Sequence, residues 1–538
     1  MIVMLAANAN AAVFQYAVPV QTSRGERMAF LWIPPKAKQV RGVIMAGMTL
    51  MEREFAKDSR IREACADEQL AIVFLKCGLR AANLQSVLDD LAKSSGYREL
   101  SIAPLMFVGH SAGGPQAAEA ARKMSDRCFG LVQYRGGNPG GETPIPPGIP
   151  ALMMIGQFDE VGKIGRAASG FENWEYARDR MIAFRSQNEN NLGSIVVEPG
   201  AGHFDWSKRN ADYLALFLGK AARARIPASW PVDAKRPIKL NVIDPTSGWL
   251  TDLTIANTTK QKTDAPSMIR KASPYERYKG DRKKTAWHFD EEMANATVAY
   301  HKGIRKKDQF LTWKDPHRVD AGARFFFQRI KWIGDGQSFR VHPTYAKSYP
   351  SQFNGRGSKW AEAGNPVGHS SALIRIKMVG GPIVATGPDT FRIQFDALAS
   401  ATENGRITFM AYSDGDKTYR YTERVGMLPR DSGKRTNGKA QTITFPPIGN
   451  LKADNYPVKL KATSDSGLPV AYYIAYGPAK IVNGNMLISE VPARAKFPIA
   501  VKVVAYQFGR AVEPFVQTAE PVERTIMINR NSGISNTK

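Results

Sequence analysis

The sequence predicts a multidomain protein in which a mostly parallel β-sheet flanked by helices precedes β-sandwich domains. Two patterns along the chain predict this. From about residue 40 to 222, short apolar runs alternate with amphipathic helical stretches, an order typical of parallel strands joined by crossover helices. From about residue 323 onward, only strand-like alternation and turn signals remain, which is typical of all-β domains. The length of 538 residues agrees with two to four domains.

The first domain is predicted from six short runs rich in Val, Ile, Leu, Met and Phe. Such near-continuous apolar runs predict strands that are buried on both faces of a sheet. The runs are residues 42–46, 71–76, 105–109, 130–134, 151–156 and 194–198. Helical patterns between them are residues 83–93, 116–124, 174–185 and 211–222. Two earlier extended segments, 14–20 and 27–33, predict an antiparallel edge of the same sheet.

The whole chain divides into five predicted segments. In order they are a truncated signal peptide (1–12), the domain with the parallel sheet (13–225), a linker that wraps around this domain (226–322), and two β-sandwiches (323–440 and 441–530). The signal peptide is inferred from an apolar start and the small-residue pattern Ala9-Asn10-Ala11. The linker is rich in Pro, Lys, Thr and Ser and contains one predicted helix, 287–301.

Turn signals organise the two predicted sandwiches. Asn404-Gly405 and Asn483-Gly484 each lie between alternating runs, and this dipeptide is a strong hairpin signal. With its apolar strand-like runs at 458–462, 471–476 and 499–506, the last segment resembles bacterial immunoglobulin-like modules. It differs from antibody domains in having no cysteine pair between its sheets, since no Cys follows residue 128.

The most informative string is Gly109-His110-Ser111-Ala112-Gly113, a G-x-S-x-G motif. An apolar strand enters it and a helical run leaves it, which is the context of a nucleophile elbow. Such a turn exposes a serine at the carboxyl edge of the sheet, where open α/β sheets bind ligands. Ser111 is therefore the predicted nucleophile.

With this elbow the chain resembles the α/β-hydrolase superfamily of serine hydrolases over roughly residues 14–222. The resemblance implies a catalytic order of nucleophile, acid and histidine. His203 follows the last predicted strand, and the only other histidine in the first 230 residues belongs to the elbow itself. Asp159, at the end of the strand 151–156, is the predicted acid; Glu160 is its alternative and Glu175 a more distant one.

The resemblance also implies an oxyanion hole made of two backbone N–H groups. The first follows from the elbow and belongs to Ala112. The second is expected from the loop after the strand 42–46, where Met48 comes first by position and Thr49 next. Glu52, beyond this loop, either contacts substrate or faces solvent. No lid is predicted, because the connection 138–150 is a short Pro/Gly loop, so the site is expected to be open.

Charge separates the first domain from the rest of the chain. The net charge is +25, but residues 1–230 carry 27 basic and 22 acidic side chains, a net of only +5. The other +20, together with six of the nine tryptophans between residues 230 and 360, favours an acidic polysaccharide or an anionic cell surface as partner. No nucleic-acid-binding signature accompanies the charge, so nucleic acid is not the expected partner.

Several classes of protein are excluded by missing motifs. No P-loop, dinucleotide fingerprint or HExxH occurs, so neither a cofactor nor a metal site is predicted. Cys65, Cys77 and Cys128 fit no zinc pattern and are interpreted as buried free thiols. No apolar run is long enough to predict a transmembrane helix.

Together these observations predict a secreted or periplasmic serine hydrolase that cleaves carboxylic esters, plausibly acyl or methyl esters on a polysaccharide. Two alternatives stay open: a serine peptidase of the same fold, and a surface- or polysaccharide-binding protein with an inactive hydrolase scaffold. The sequence indicates no oligomeric state. If the appended domains only bind polymer, a chain lacking 323–538 is expected to keep its activity on a small ester.

Overall fold

The computed structural model describes most of the chain. The described residues are 13–47, 50–157, 159, 172–254, 271–302, 306–321, 324–350, 363–401, 407–453, 457–489 and 491–530. The predicted signal peptide, Met48, Thr49 and Glu160 lie outside these ranges, as does the turn Asn404-Gly405.

The N-terminal region is built on one eight-stranded sheet with the order β1-β2-β4-β3-β5-β6-β7-β8. Its strands are β1 (Tyr16–Thr22), β2 (Gly25–Trp32), β3 (Gly42–Gly47), β4 (Leu70–Leu75), β5 (Leu105–His110), β6 (Cys128–Tyr134), β7 (Ala151–Gly156) and β8 (Gly193–Glu198). β1 and β2 form an antiparallel edge on β4, and β3 to β8 are parallel to one another. Every residue of β3 to β8 is buried. The predicted mostly parallel sheet with its antiparallel edge is confirmed, and this region has an α/β-hydrolase-like architecture.

Six helices flank this sheet. They are α1 (Leu50–Lys57), α2 (Ser59–Asp67), α3 (Leu84–Ser95), α4 (Gly113–Lys123), α5 (Glu172–Gln187) and α6 (Lys208–Arg225). Four of them match predicted helices, whereas α1 and α2 were missed. Both are short, at 8 and 9 residues, and the buried face of α2 consists of Ile61 and Cys65. Helices of two turns show too little periodicity to be recognised in a sequence.

The segment after α6 contains a small sheet and a helix. They are β9 (Trp249–Asp252), β10 (Ser273–Pro274), β11 (Thr285–His288) and α7 (Glu291–Lys302), with the sheet order β10-β9-β11. The helix predicted over 287–301 begins later, since Trp287 and His288 end β11 and pair with Leu250 and Trp249. The indole N–H of Trp287 donates to the carbonyl oxygen of Pro245 at 2.9 Å, which holds the ring in the strand.

The C-terminal region is rich in β-strands. Its first part contains β12 (Leu311–Trp313), β13 (His317–Ala321), β14 (Arg324–Phe327), β15 (Trp332–Ile333), β16 (Ser338–Arg340), β17 (Pro343–Tyr345), β18 (Arg375–Gly380), β19 (Ile383–Ala385), β20 (Thr390–Ile393), β21 (Thr408–Ser413) and β22 (Thr422–Met427). Its last part contains β23 (Ile443–Thr444), β24 (Leu451–Lys452), β25 (Val458–Lys459), β26 (Thr463–Ser464), β27 (Ala471–Tyr476), β28 (Ala479–Val482), β29 (Asn485–Ile488), β30 (Ile499–Tyr506) and β31 (Val522–Asn529).

The predicted hairpin at Asn483-Gly484 is confirmed. It joins β28 to β29, in which Val482 pairs with Asn485. Asn483 and Gly484 have φ values of 49° and 74°, as a two-residue turn of this type requires. The immunoglobulin-like assignment and the domain boundaries stay predictions.

The β-rich region packs on the N-terminal region through one face of a five-stranded sheet, β13-β14-β22-β21-β18. On one face, Phe325, Phe327 and Phe409 belong to an aromatic core of the C-terminal region itself. On the other face, Met410 and Val425 belong to the same apolar cluster as the N-terminal sheet. The alternation of side chains along each strand therefore divides this sheet between two cores.

Two further predictions concern the thiols and the membrane. All three cysteines are free; Cys65 and Cys128 are buried, whereas Cys77 is only half-buried. Burial raises the pKa of the Cys128 thiol to about 12. Among the described helices, none combines the length and the apolar character needed to cross a membrane.

Candidate active site

The serine predicted as nucleophile lies on a sharp turn between a strand and a helix. β5 ends at His110 and α4 begins at Gly113. Between them Ser111 has a φ of +55°, a conformation that is strained for a residue with a side chain. Its N–H donates to the carbonyl oxygen of Tyr134 in β6 at 3.0 Å, and its side chain is only half-buried. This geometry is that of a nucleophile elbow.

Two glycines allow the backbone to turn this closely. A Cβ atom on Gly109 would lie 2.1 Å from the carbonyl oxygen of Gly113. A Cβ on Gly113 would lie 2.1 Å from Oε1 of Glu52. Both distances are far inside van der Waals contact, so the strand end, the helix start and α1 come together only because these residues lack side chains.

Glu52 lies beneath the elbow. It is 1% exposed, and its Oε1 accepts a hydrogen bond from the backbone N–H of His110 at 2.8 Å. The alternative in which Glu52 faces solvent is therefore wrong. Its carboxylate supports the strained turn from the side of α1.

The predicted acid and histidine are in direct contact. His203 Nδ1 lies 2.8 Å from Asp159 Oδ1, and both side chains are buried. Asp159 follows β7 and His203 follows β8, so neighbouring parallel strands bring the two together. Glu160 lies outside the described residues, and Glu175 lies on α5.

The third contact of a catalytic triad is open in this structure. Among the described residues, His203 Nε2 has no hydrogen-bond partner, so it is not hydrogen-bonded to Ser111. Hydrogen bonds of this kind are often long without substrate and shorten when substrate binds. The buried Nε2 is thus the nitrogen left to act as a base once Nδ1 is held by Asp159.

His110, at the variable position of the elbow, connects the elbow to the histidine loop. Its Nε2 donates to the carbonyl oxygen of His203 at 2.9 Å, and the centroids of the two rings are 4.8 Å apart. Burial, followed by the neighbouring His203, lowers the pKa of His110 well below its usual value. His110 is therefore a neutral imidazole that carries its proton on Nε2. This role of His110 cannot be read from the sequence, because the G-x-S-x-G motif accepts any residue at this position.

A buried ionic network holds both ends of the histidine loop. Nη2 of Arg135, at the end of β6, lies 2.5 Å from Glu198 Oε2 and 2.6 Å from Asp205 Oδ1. Glu198 ends β8 and Asp205 comes two residues after His203. Nδ2 of Asn210 in α6 donates to both carboxylates. No motif marks these four residues, so only the structure reveals them.

The two carboxyl groups of this network differ in their electrostatics. Burial opposes the charge of Glu198, but Arg209 and Arg135 together hold the pKa of Glu198 well below its usual range. Burial raises the pKa of Asp205, and the nearby Glu198 adds to this effect. One proton shared within this buried group would reduce the repulsion between the two carboxylates.

Only one of the two predicted oxyanion donors is described. Ala112 is the first residue after Ser111 and precedes α4 with helical dihedral angles. Within the described ranges, its N–H donates no hydrogen bond, and the residue is exposed. An uncommitted N–H at a helix start suits an anion. Met48 and Thr49 lie outside the described residues, so the second donor stays a prediction.

The β-rich region covers the histidine loop, although an open site was expected. The N–H of Gly202 donates to Glu423 Oε1 at 2.7 Å, and a Cβ on Gly200 would lie 1.8 Å from the carbonyl oxygen of Tyr421. Glu423 belongs to β22 and Tyr421 directly precedes this strand. The expected openness therefore does not extend to the histidine side of the site.

Solved structures of several hydrolases match the chain at low sequence identity. No protein-family model and no curated protein matches the chain. Solved structures that match include the esterase domain of a Rhodothermus marinus protein, at 16% identity over 39% of this chain and 97% of that chain, with a TM-score of 0.27. A dienelactone hydrolase from Anabaena variabilis matches at 16% identity over 40% and 98% of the two chains, with a TM-score of 0.28. An S-formylglutathione hydrolase from Agrobacterium tumefaciens matches at 13% identity over 38% and 94%, with a TM-score of 0.28.

These matches fall on the N-terminal part of the chain, about 40% of its length. The eight-stranded sheet and the strand–turn–helix elbow described above lie in this part. In the described parts of the chain, no group of three or more His, Cys, Asp and Glu side chains is arranged to hold a metal ion. The arrangement of a strained serine, a carboxylate-bound imidazole and a free helix N–H suits acyl transfer.

Proposed function

We propose that this protein is a serine hydrolase that cleaves carboxylic esters through Ser111, His203 and Asp159. The observation that carries the proposal is the 2.8 Å contact of Asp159 with His203 Nδ1, together with the φ of +55° at Ser111. A hydroxyl is a weak nucleophile until a base removes its proton. Asp159 keeps the proton of His203 on Nδ1, and this leaves the lone pair of Nε2 for that purpose.

The proposed reaction has two halves. Ser111 Oγ attacks the ester carbonyl carbon while its proton passes to His203 Nε2, and the N–H of Ala112 donates to the oxyanion that forms. The intermediate collapses by breaking the bond to the alcohol oxygen, which leaves with the proton from Nε2. Water then attacks the acyl carbon and gives a proton to Nε2; the bond from that carbon to Ser111 Oγ breaks, Oγ takes the proton back from Nε2, and the acid is released.

We further propose that the ester is an acyl or methyl ester on an acidic polysaccharide outside the cytoplasm. The net charge of +20 carried by residues 231–538 supports an acidic polymer as partner. The near-neutral N-terminal region needs no such charge for its chemistry. A secreted or periplasmic location agrees with the apolar start of the chain.

Labelling with a fluorophosphonate probe tests the chemistry. The expected result is labelling of the wild-type protein and none of Ser111→Ala or His203→Ala. Absence of any Ser111-dependent labelling would favour the inactive-scaffold alternative. Ser94, which is exposed on α3, gives a matched control, since Ser94→Ala should still be labelled.

A substrate panel tests the ester and its carrier. We expect release of acetate, methanol or ferulate from an esterified acidic polysaccharide and no cleavage of peptide substrates. Peptide cleavage that depends on Ser111 would identify a serine peptidase instead. Equal rates on acidic and neutral polysaccharides would contradict the proposed role of the positive charge.

A further inference from the structure

The middle of the histidine loop is held both by its own sheet, through the bond from His110 to the carbonyl oxygen of His203, and by contacts from the C-terminal region. The ionic network fixes the loop at Glu198 and at Asp205. Between these two points, the backbone N–H of Gly202 donates to Glu423 of the C-terminal region. The backbone N–H of Gly200 donates to Gln157, which also accepts from Arg420 of that region. Gly202 immediately precedes His203, and Gly200 comes three residues before it.

The first contact is direct. Glu423 Oε1 accepts from Gly202 N at 2.7 Å, across 221 positions of the sequence. Tyr421 donates its hydroxyl to Glu423 Oε2 at 3.0 Å, so the carboxyl group is held at both oxygens. Burial, then the carboxyl groups of Asp205 and Glu198, raise the pKa of Glu423 well above its usual value. A neutral carboxyl group can accept this amide hydrogen bond without adding a negative charge beside the other two.

The second contact passes through a single amide oxygen. Arg420 Nη1 donates to Gln157 Oε1 at 2.7 Å, and Gly200 N donates to the same oxygen at 2.9 Å. Gln157 lies two residues before Asp159. Arg420 is 1% exposed and is held in turn by Asp308, at 2.6 Å. The amide oxygen of Gln157 therefore connects the turn that carries the acid with the loop that carries the histidine, and Arg420 holds this oxygen from the C-terminal region.

The shape of the loop agrees with these contacts. Gly200 has a φ of +75°, and a Cβ there would lie 1.8 Å from the carbonyl oxygen of Tyr421. A side chain at this position would push the loop away from the strand β22. The loop and residues 420–423 thus fit each other at backbone contact distance.

We infer that Arg420 and Glu423 are positioning residues of the active site, supplied by the C-terminal region to the acid and histidine loops of the N-terminal sheet. The inference rests on the proposed function. It contradicts the expectation that a chain lacking 323–538 keeps its activity on a small ester, because both residues would be missing. The β-rich region then takes part in catalysis through His203 besides any binding of polymer.

Two substitutions of Glu423 in the full-length protein test the inference. Glu423→Gln keeps a side-chain oxygen that can accept from Gly202 N and an amide group that can bond to the Tyr421 hydroxyl. We therefore expect the rates of labelling and turnover to stay within about twofold of wild type. Glu423→Ala removes the acceptor and should lower kcat on a small ester, and the rate of fluorophosphonate labelling, by about tenfold, as loss of one buried hydrogen bond predicts. KM for the small ester should stay within about twofold, and the Gly202 amide should exchange its hydrogen faster.

Controls separate this outcome from general destabilisation. Glu520 is exposed and pairs with Lys434 in the same region, so Glu520→Ala should change none of these values. If Glu423→Ala fails to fold, Tyr421→Phe removes only the second hydrogen bond of the carboxyl group, and a two- to fivefold slower labelling is expected.

The inference would be overturned, with the proposed function intact, if Glu423→Ala showed wild-type rates of labelling and of Gly202 amide exchange. If Glu423→Ala does not fold, the same result in Tyr421→Phe would overturn it. If the wild-type protein is not labelled at all, the proposed function fails instead. Exchange of the Gly202 amide then still decides whether Glu423 holds the loop.

Discussion

The two sides of the candidate active site are held in different ways. The elbow is supported by residues of the N-terminal region: Glu52 binds the backbone of His110, and Ser111 bonds to Tyr134. The histidine loop is supported at its ends by Arg135 but in its middle by Glu423 of the C-terminal region.

The two sides of this candidate site therefore depend on different parts of the chain. The serine side requires close backbone packing within one sheet, where a single added methyl group is not tolerated. The histidine side requires two regions of the chain to meet. A substitution on the serine side should therefore act through local strain, and one on the histidine side through the contact between regions.

The largest effect is expected on the serine side. Gly109→Ala places a Cβ 2.1 Å from the carbonyl oxygen of Gly113, so the elbow has to open. We expect a loss of more than about 3 kcal/mol of unfolding free energy, at the upper end for overpacking, together with loss of probe labelling. Gly449→Ala is the control, because a Cβ there meets nothing within 4 Å. A melting temperature of Gly109→Ala equal to that of this control would contradict the account of the elbow.

The next effect concerns the ends of the histidine loop. Arg135→Met leaves Glu198 and Asp205 buried without their shared cation, and such a loss costs about 3–5 kcal/mol. Urea unfolding should measure this difference. Arg375 pairs with Asp414 at the surface, where solvent screens the pair, so Arg375→Met should be nearly silent. Similar losses for the two variants would show that the buried network does not hold the loop.

The free energy of unfolding is expected to depend on pH through His301, which contacts β8, the strand that leads into the histidine loop. His301 Nε2 accepts from Val197 N in β8 at 3.4 Å, and burial lowers its pKa to about 4. An unfolded histidine has a pKa of about 6.5. Between these values the unfolded chain binds the proton more readily, so stability falls as the pH is lowered through this window, by up to about 1.4 kcal/mol per pH unit.

Urea unfolding at pH 7, 6 and 5 measures this contribution. His301→Gln removes the titrating group, and its stability should fall less steeply than that of wild type. Parallel curves for the two proteins would contradict the assignment to His301. Probe labelling in the same buffers would show whether the histidine side of the site weakens together with β8.

The smallest effect tests whether the serine side is independent of the contact between regions. Lys57 ends α1, the helix beneath the elbow, and its Nζ lies 2.6 Å from Asp396 Oδ2 in the C-terminal region. Lys57→Met should cost about 1 kcal/mol, measured by urea unfolding, because the pair is only partly buried. We expect the rate of labelling to stay within about twofold of wild type. Strong loss of labelling in a folded protein would show that the elbow also depends on the C-terminal region.

The sequence predicts well what lies close together along the chain. The elbow around Ser111 is one contiguous string, and the buried strands that carry Asp159 and His203 are recognisable from their apolar runs. Short helices such as α1 lack enough turns to show a period, and Glu52 was therefore not placed beneath the elbow.

The residues that hold the site were not predicted because their partners are distant in sequence. Arg135 follows an ordinary buried strand, and the carboxylates that it binds are 63 and 70 positions away in the sequence. Glu423 is one charged residue in an alternating strand, which alone indicates an exposed face. Nothing in the sequence around Glu423 predicts that it accepts a hydrogen bond from the backbone N–H of a glycine 221 positions earlier.

The position of Glu423 in the chain has a consequence for biosynthesis. The N-terminal sheet is complete once α6 has been made, yet the ribosome reaches residue 423 only about 10–40 s later at ordinary rates of translation. Ser111 can be in its strained turn throughout that interval while the loop that carries His203 still lacks its contact with Glu423. A newly made chain would then gain the proposed hydrolytic activity only after residue 423 has been synthesised and β22 has packed on the histidine loop.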